Sequence, residues 1–273
     1  MSVDAYLERI AYTGPTSPTL ETLIGVHRAH MDAVPYENLA IHLGGENTLV
    51  EADFVQKIVT RRRGGWCYEM NGLLTWALRE MGFDITRASA AAGRALIGDD
   101  ADDNHLIAFA DLDRRWVVDV GLGDGPSEPF PLEERSWSEG PLEFRLERLD
   151  GPWWRFHNHQ TGLALSCDFT EEPRELPSFQ KVCTMLQTED DSIFRIFALV
   201  IRRTPGGFRA LRDITWIEAV DNEKQEHEIT SVEEYRERLT GLIGHSLGAD
   251  ADTLWRDASA RAKKRADDTA KTK

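Results

Sequence analysis

Apolar residues recur at three-to-four spacing through the first third of the chain, in "YLERIA", "TLETLIGVHRAHMDAV" and "EADFVQKIVTRRR". The longest such run, "CYEMNGLLTWALREMGF", sets Met70, Leu73, Leu74, Ala77, Leu78 and Met81 at helical spacing behind Gly64 and Gly65, which mark a tight turn. Residues 1–83 are therefore predicted to form a small helical bundle. From Asp84 the period drops to two, in "DITRASAAAG", "HLIAFADLD", "RWVVDVGLG", "LEFRLERLD" and "WWRFHNH", with Asp-, Gly- and Pro-rich turns between the runs. Residues 84–176 are expected to be antiparallel strands closed into a β-barrel. Strands resume in "FRIFALVIRR", "FRALRD" and "ITWIEAV" before helical spacing returns in "SVEEYRERLTGLIG" and "ADTLWRDASARAKK", so residues 177–260 read as a mixed α/β lobe. The polar, charged tail 261–273 is expected to be frayed helix or disordered. The fold class is α+β in three lobes, without internal repeats.

Composition narrows what such a chain can do. With 273 residues, 41% of them hydrophobic, it can bury a sizeable core. A formal charge of −15 excludes nucleic acid as an expected partner, because phosphate binding needs clustered Lys and Arg. The N-terminal "MSVDAYLERI" carries acids where an export signal carries a basic region, and the densest apolar run, "IFRIFALVI", is too short to span a membrane and contains Arg195. A cytoplasmic protein with no membrane partner is expected. Cys67, Cys167 and Cys183 are odd in number and lack C-x-x-C spacing, which argues against a disulfide framework and against a cysteine zinc site. No metal is expected, "FHNH" (His157, His159) having no further ligand at suitable spacing. "TPGGF" reads as a hairpin turn, and nothing in these patterns signals an oligomeric interface.

The candidate chemistry begins at Cys67. It falls in the first turn of a predicted helix, where unpaired N–H groups and the helix dipole favour a thiolate. The same position also suits a small buried hydrophobe. A thiolate enzyme needs an imidazole within reach and a third group to orient it. His105 opens the strand "HLIAFADL" after the acidic turn "GDDADDN", and Asp119 sits in the apolar "WVVDVGLG", where a buried carboxylate needs a partner. Taken singly, these two read rather as a solvated turn histidine and a turn-capping aspartate.

Taken together, the segments resemble one family. "RGGWCYEMN" is similar to the R-G-G-[WYF]-C-x-E/Q-x-N nucleophile segment of the arylamine N-acetyltransferases, "HLIAF" to the segment of their catalytic histidine, and "DVGLG" to their D-V-G-F-G. "VPYENLAIHLG" resembles their V-P-F-E-N-L loop, and "RRTPGGFRALRD" their R-R-T-P-D-G-x-x-x-L-R motif, so the resemblance spans about residues 1–245. It implies a helical domain, a β-barrel and an α/β lid, the first two arranged as in papain-like cysteine proteases. It also implies ping-pong transfer of an acetyl group from acetyl-CoA, the cosubstrate, to Cys67 and then to an arylamine, hydrazine or related amine. His105 would move the proton and Asp119 orient the imidazole. Glu37 and Arg63 match a structural ion pair.

Substrate-facing positions depart from the family. Leu122 stands where phenylalanine is usual, and "TEDDSIF" keeps Thr188, Ser192 and Phe194 but has Asp190 in place of proline. Leu122 and Phe194 are the candidate acceptor-pocket residues, and the added acids imply a preference for polar or cationic acceptors. Gly121 and Gly123 of "VGLGDG" allow close backbone approach and are the candidates for holding CoA. Two other activities remain open on the same triad: an amide synthase transferring a longer polyketide-type chain, and a cysteine thioester hydrolase.

Overall fold

The computed structural model describes residues 2–271. Its first zone holds α1 (Val3–Arg9), α2 (Leu20–Ala33), the two-residue strand β1 (Tyr36–Glu37), α3 (Leu39–His42), α4 (Glu51–Phe54) continuing as a π-helical turn, and α5 (Cys67–Glu80). Side-chain caps start the first two helices: Ser2 accepts from the Ala5 N–H and Thr19 from that of Thr22. Helix α5 is buried on every side from Cys67 to Leu78, unlike the one-sided helix its apolar spacing suggests. Its polar residues are all partnered, which is what makes such burial tolerable. Glu69 takes Lys57 Nζ at 2.6 Å, Thr75 Oγ1 accepts from Arg87 Nε at 2.7 Å, and Asn71 is described below.

The second zone runs through β2 (Asp84–Ala92), α6 (Arg94–Ile97), β3 (His105–Asp111), β4 (Arg115–Val118), β5 (Phe130–Pro131), β6 (Arg135–Glu139), β7 (Leu142–Arg148), β8 (Trp154–His157) and β9 (Ser166–Pro173). These strands form one antiparallel sheet in the order β5-β4-β3-β2-β9-β8-β7-β6. The expected closed barrel is a curled open sheet instead, with no ladder joining its edges β5 and β6 among the described residues. Aromatic rings bridge the gap: Phe130 of β5 lies 4.8 Å from Trp137 of β6 and 5.5 Å from Phe156. Alternate residues of β7, Leu142, Phe144 and Leu146, point into this aromatic core.

The third zone comprises α7 (Gln180–Thr188), α8 (Ile193–Ile196), β10 (Leu199–Thr204), β11 (Gly207–Arg212), β12 (Thr215–Val220), β13 (Glu223–Glu228), α9 (Val232–Ile243) and α10 (Ala249–Lys271). Its sheet order is β1-β10-β11-β12-β13, so the helical zone donates an edge strand to it. Strand β13, "EKQEHE", is exposed throughout and carries no apolar signal. Turn chemistry forms it, because Asp221 and Asn222 both take positive φ (52° and 65°), the conformation of a two-residue hairpin turn. The tail expected to fray continues α10 as far as Lys271. Arg261 and Arg265 anchor it, each placing Nη2 2.7 Å from the buried Asp213 carboxylate. Residues 272–273 lie outside the described residues. No described helix is long and apolar enough to cross a membrane.

Candidate active site

Cys67 is the first residue of α5 and is buried at the junction of the three zones. The two glycines ahead of it form no positive-φ turn. They run flat against residues 35–37, where Gly65 bridges Tyr36 and accepts a 2.8 Å hydrogen bond from the Glu37 N–H. A Cβ on Gly64 would stand 2.1 Å from the Pro35 carbonyl oxygen, so close approach is what requires glycine there. Glu37, fully buried, accepts from the Leu39 N–H at 2.7 Å and has its other oxygen 3.3 Å from Arg63 Nη2. That contact is an ion pair without hydrogen-bond alignment. At the helix start, Glu69 accepts from the Trp66 N–H at 3.2 Å, which closes the first turn on itself.

His105 opens β3, pairs with Ala90 of β2 at the sheet's end and is buried there. Its Nε2 lies 2.9 Å from Asp119 Oδ2, and the ring stands beside Cys67, whose thiol donates to the Asn104 carbonyl oxygen at 3.7 Å. Asp119 follows the end of β4 and does not lie within the strand. Its Oδ1 accepts from Asn71 Nδ2 and from the Gly121 N–H, both at 2.8 Å. Burial alone would strip the proton from His105, but the Asp119 carboxylate and the Cys67 sulfur outweigh it and raise the ring to about 10. Burial likewise opposes charge on Asp119, yet His105, Asn71 and the Gly121 N–H hold its carboxyl below the usual range. Burial pushes the thiol of Cys167 well up and that of Cys183 to about 12.

Against known proteins, the chain matches the family model described as N-acetyltransferase over residues 19–251. It is 34% identical to the arylamine N-acetyltransferase pineal gland isozyme NAT-3 of Gallus gallus over 234 residues, covering 77% of this chain and 81% of that one. The chain belongs to the arylamine N-acetyltransferase family. It is thus of an acyltransferase family. Arylamine N-acetyltransferase 1 of Homo sapiens is 32% identical over 280 residues, covering 90% of this chain and 95% of that one. Among solved structures, the Nocardia farcinica arylamine N-acetyltransferase superposes with a TM-score of 0.83 at 31% identity, covering 93% of both chains. The Mycobacterium abscessus enzyme gives 0.85 at 25%, covering 95% of both.

In this member of the family Cys67 and His105 open on a cleft of about 300 Å³ whose walls come from all three zones. Leu122, Phe194 and Gly121 line it, and the Phe194 ring meets Trp66 edge-on at 5.2 Å, which seats α8 on the start of α5. Gly123 does not line it. With φ of 80°, it lets Tyr36 approach, a Cβ there lying 2.8 Å from that of Tyr36, which is a packing role. Asp190 is also outside the cleft, its side chain fully exposed and 3.7 Å from Arg195. The expected acidic acceptor wall is therefore absent from the lining, which holds no carboxylate and has His105 and Arg212 as its charged side chains. His159 is buried off the strand, paired with Thr161 and the Asp124 carbonyl oxygen, while His157 bonds Glu147 at 2.7 Å.

Asn71 is the residue that sequence reasoning passed over. Besides Asp119, its amide donates to the Leu106 carbonyl and accepts from the Val120 N–H at 2.8 Å, tying α5, β3 and the loop after β4 into one unit. The signal was its place four residues after Cys67, on the same helix face. His27 of α2, with Nε2 3.2 Å from the Asp119 carbonyl oxygen, left no such signal.

Proposed function

We propose that the chain transfers an acetyl group from acetyl-CoA, through a thioester on Cys67, to the nitrogen of an arylamine, hydrazine or related amine. The observation that carries this reading is the His105 imidazole, hydrogen-bonded to Asp119 and lining the same apolar cleft as the Cys67 sulfur. His105, holding its proton at neutral pH, is the cation that an anionic sulfur needs beside it. In the first half-reaction the sulfur attacks the thioester carbonyl, the carbon–sulfur bond to CoA breaks, and His105 returns the proton to the departing thiol. In the second, the amine nitrogen attacks the enzyme thioester, His105 takes the amine proton, and the Cys67 sulfur leaves. Asp119 orients the ring in both steps. The oxyanion of each tetrahedral intermediate is served by N–H groups of the first turn of α5, which have no carbonyl one turn earlier to bond.

Mixing the protein with acetyl-CoA and no amine is expected to add one acetyl group, mapped by mass spectrometry to Cys67, which leaves when an arylamine is added. An unchanged mass, or loading only from a carrier-bound acyl chain, would remove acetyl transfer as the reaction. Release of free acetate at the same rate without amine would make the protein a hydrolase.

Acceptor selection is read from the wall that Leu122 forms. A phenylalanine there restores an aromatic face worth about 0.5–1.5 kcal/mol in stacking, so Leu122→Phe is expected to raise kcat/KM for simple anilines about threefold to tenfold. The rate of Cys67 acetylation, measured separately in single turnover, should hold constant. Slower loading, or an unchanged ranking of acceptors, would place Leu122 outside the acceptor's path.

A further inference from the structure

The cleft has an electrostatic sign opposite to the net charge of the chain. In a protein of charge −15, its lining presents one histidine, one arginine and no acid. His105 is engaged by Asp119 and Cys67, which leaves Arg212 as the cation facing an incoming molecule. Arg212 ends β11, and its guanidinium lies over Phe197, another wall residue, at 5.5 Å from the ring centroid. A second guanidinium, Arg265 of α10, covers the same ring at 4.7 Å but is spent on the buried Asp213 carboxylate at 2.7 Å. Among the described residues Arg212 pairs only with Glu226, 3.3 Å away and more than a third exposed, in a geometry where a solvent-screened pair is weak. The guanidinium is thus held over an aromatic ring, beside the cleft, with most of its hydrogen-bonding fork without a partner among the described residues.

Resting on the transferase reading above, we propose that Arg212 forms an anion subsite of the cleft and recognises an oxyanion group on one of the two substrates. The chemistry is a planar or tetrahedral oxyanion: the carboxylate or sulfonate of a substituted arylamine, or a phosphate of the CoA donor. Leu122, Phe194 and Phe197 receive the apolar part of the molecule, and Arg212 selects for its charged end.

The test compares wild type with Arg212→Met, which keeps the stem and removes the charge, and with Arg212→Lys, which keeps the charge and loses the fork. Arg212 is partly exposed, and a thermal melt of each variant checks that the fold is retained. Two ratios are measured: kcat/KM for 4-aminobenzoate over that for aniline, and the Cys67 acetylation rate from acetyl-CoA over that from a phosphate-free acetyl thioester. If the acceptor carries the anion, the first ratio falls about tenfold in Arg212→Met, recovers in part in Arg212→Lys, and shrinks with added salt in wild type. If the donor carries it, the second ratio falls and the first does not. Both ratios unchanged in Arg212→Met would overturn the proposal. Calorimetric binding of 4-aminobenzoate, aniline and CoA to the same proteins gives the same comparison without turnover, so a failure of the transferase reading stays separate from a failure of the subsite.

Discussion

Replacing Asp119 by asparagine is expected to slow acetylation of Cys67 by ~10³- to 10⁴-fold while leaving the fold intact. The hydrogen-bond directions dictate this. Asn71 Nδ2 and the Gly121 N–H both donate to Oδ1, so an asparagine must put its carbonyl oxygen there. Its amide NH2 then faces His105 Nε2, which in the native protein donates to Oδ2 at 2.9 Å. Donor against donor forces Nε2 to give up its proton, and the ring is left neutral with its hydrogen on the nitrogen that faces Cys67. That tautomer cannot take the thiol proton. Single-turnover acetylation with acetyl-CoA measures the loss, and a rate within tenfold of wild type would remove Asp119 from its orienting role.

The same substitution carries a pH signature. The His105 ring, raised from 6.5 to about 10 by Asp119 and Cys67 against the effect of burial, holds a proton that an unfolded chain would release. Its contribution to stability is therefore full below about 6.5 and is lost as pH rises through about 10. Asp119 works in the opposite sense. Its lowered value adds stability above the ordinary carboxylate range, lost as pH falls through the folded value. In Asp119→Asn the His105 ring proton, followed by NMR, is expected to titrate lower than in wild type, and the decline of stability on the alkaline side should flatten.

Gly121→Ala is expected to damage both stability and rate. An added Cβ would stand 2.5 Å from Asn71 Nδ2, 3.0 Å from Cys67 Cα and 3.0 Å from His105 Cε1. All three are buried, so the loop must retreat, at a cost of about 1–3 kcal/mol typical of overpacking. Retreat also carries off the Gly121 N–H that Asp119 accepts, and a misplacement of ~1 Å at a reacting group costs about a hundredfold. Gly125→Ala, where a Cβ meets Leu122 only at 3.5 Å or beyond, is the control in the same loop and should leave both unchanged. A Gly121→Ala protein with native melting and a native acetylation rate would mean that the loop has slack the packing does not show.

Much of this protein is written locally. The helical spacing and Gly-Gly-Trp-Cys start of α5, the period-two runs of β3 and β7, and the Pro205-Gly206 turn between β10 and β11 follow from residues a few positions apart, since periodicity and turn chemistry are short-range properties. The candidate Cys67 was legible for the same reason, at the start of a helix its neighbours specify, whereas His105 and Asp119 each suit a turn and were singled out by the resemblance of their segments taken together. What tertiary structure decided is which polar atoms meet. Asn71 reaches Asp119 across 48 residues of sequence, and the burial of α5 on all sides depends on Lys57 and Arg87 arriving from other elements. The sheet stays open because Phe130 and Trp137 fill its seam with rings where a backbone ladder was expected. The acidic "TEDDSIF" turns its Asp190 to solvent while Arg212, unremarkable in "FRALRD", lines the cleft. The tail is helical because Asp213, buried and needing positive partners, finds them in Arg261 and Arg265. A residue's chemistry is local, but the desolvation that gives it a role is a property of everything packed around it.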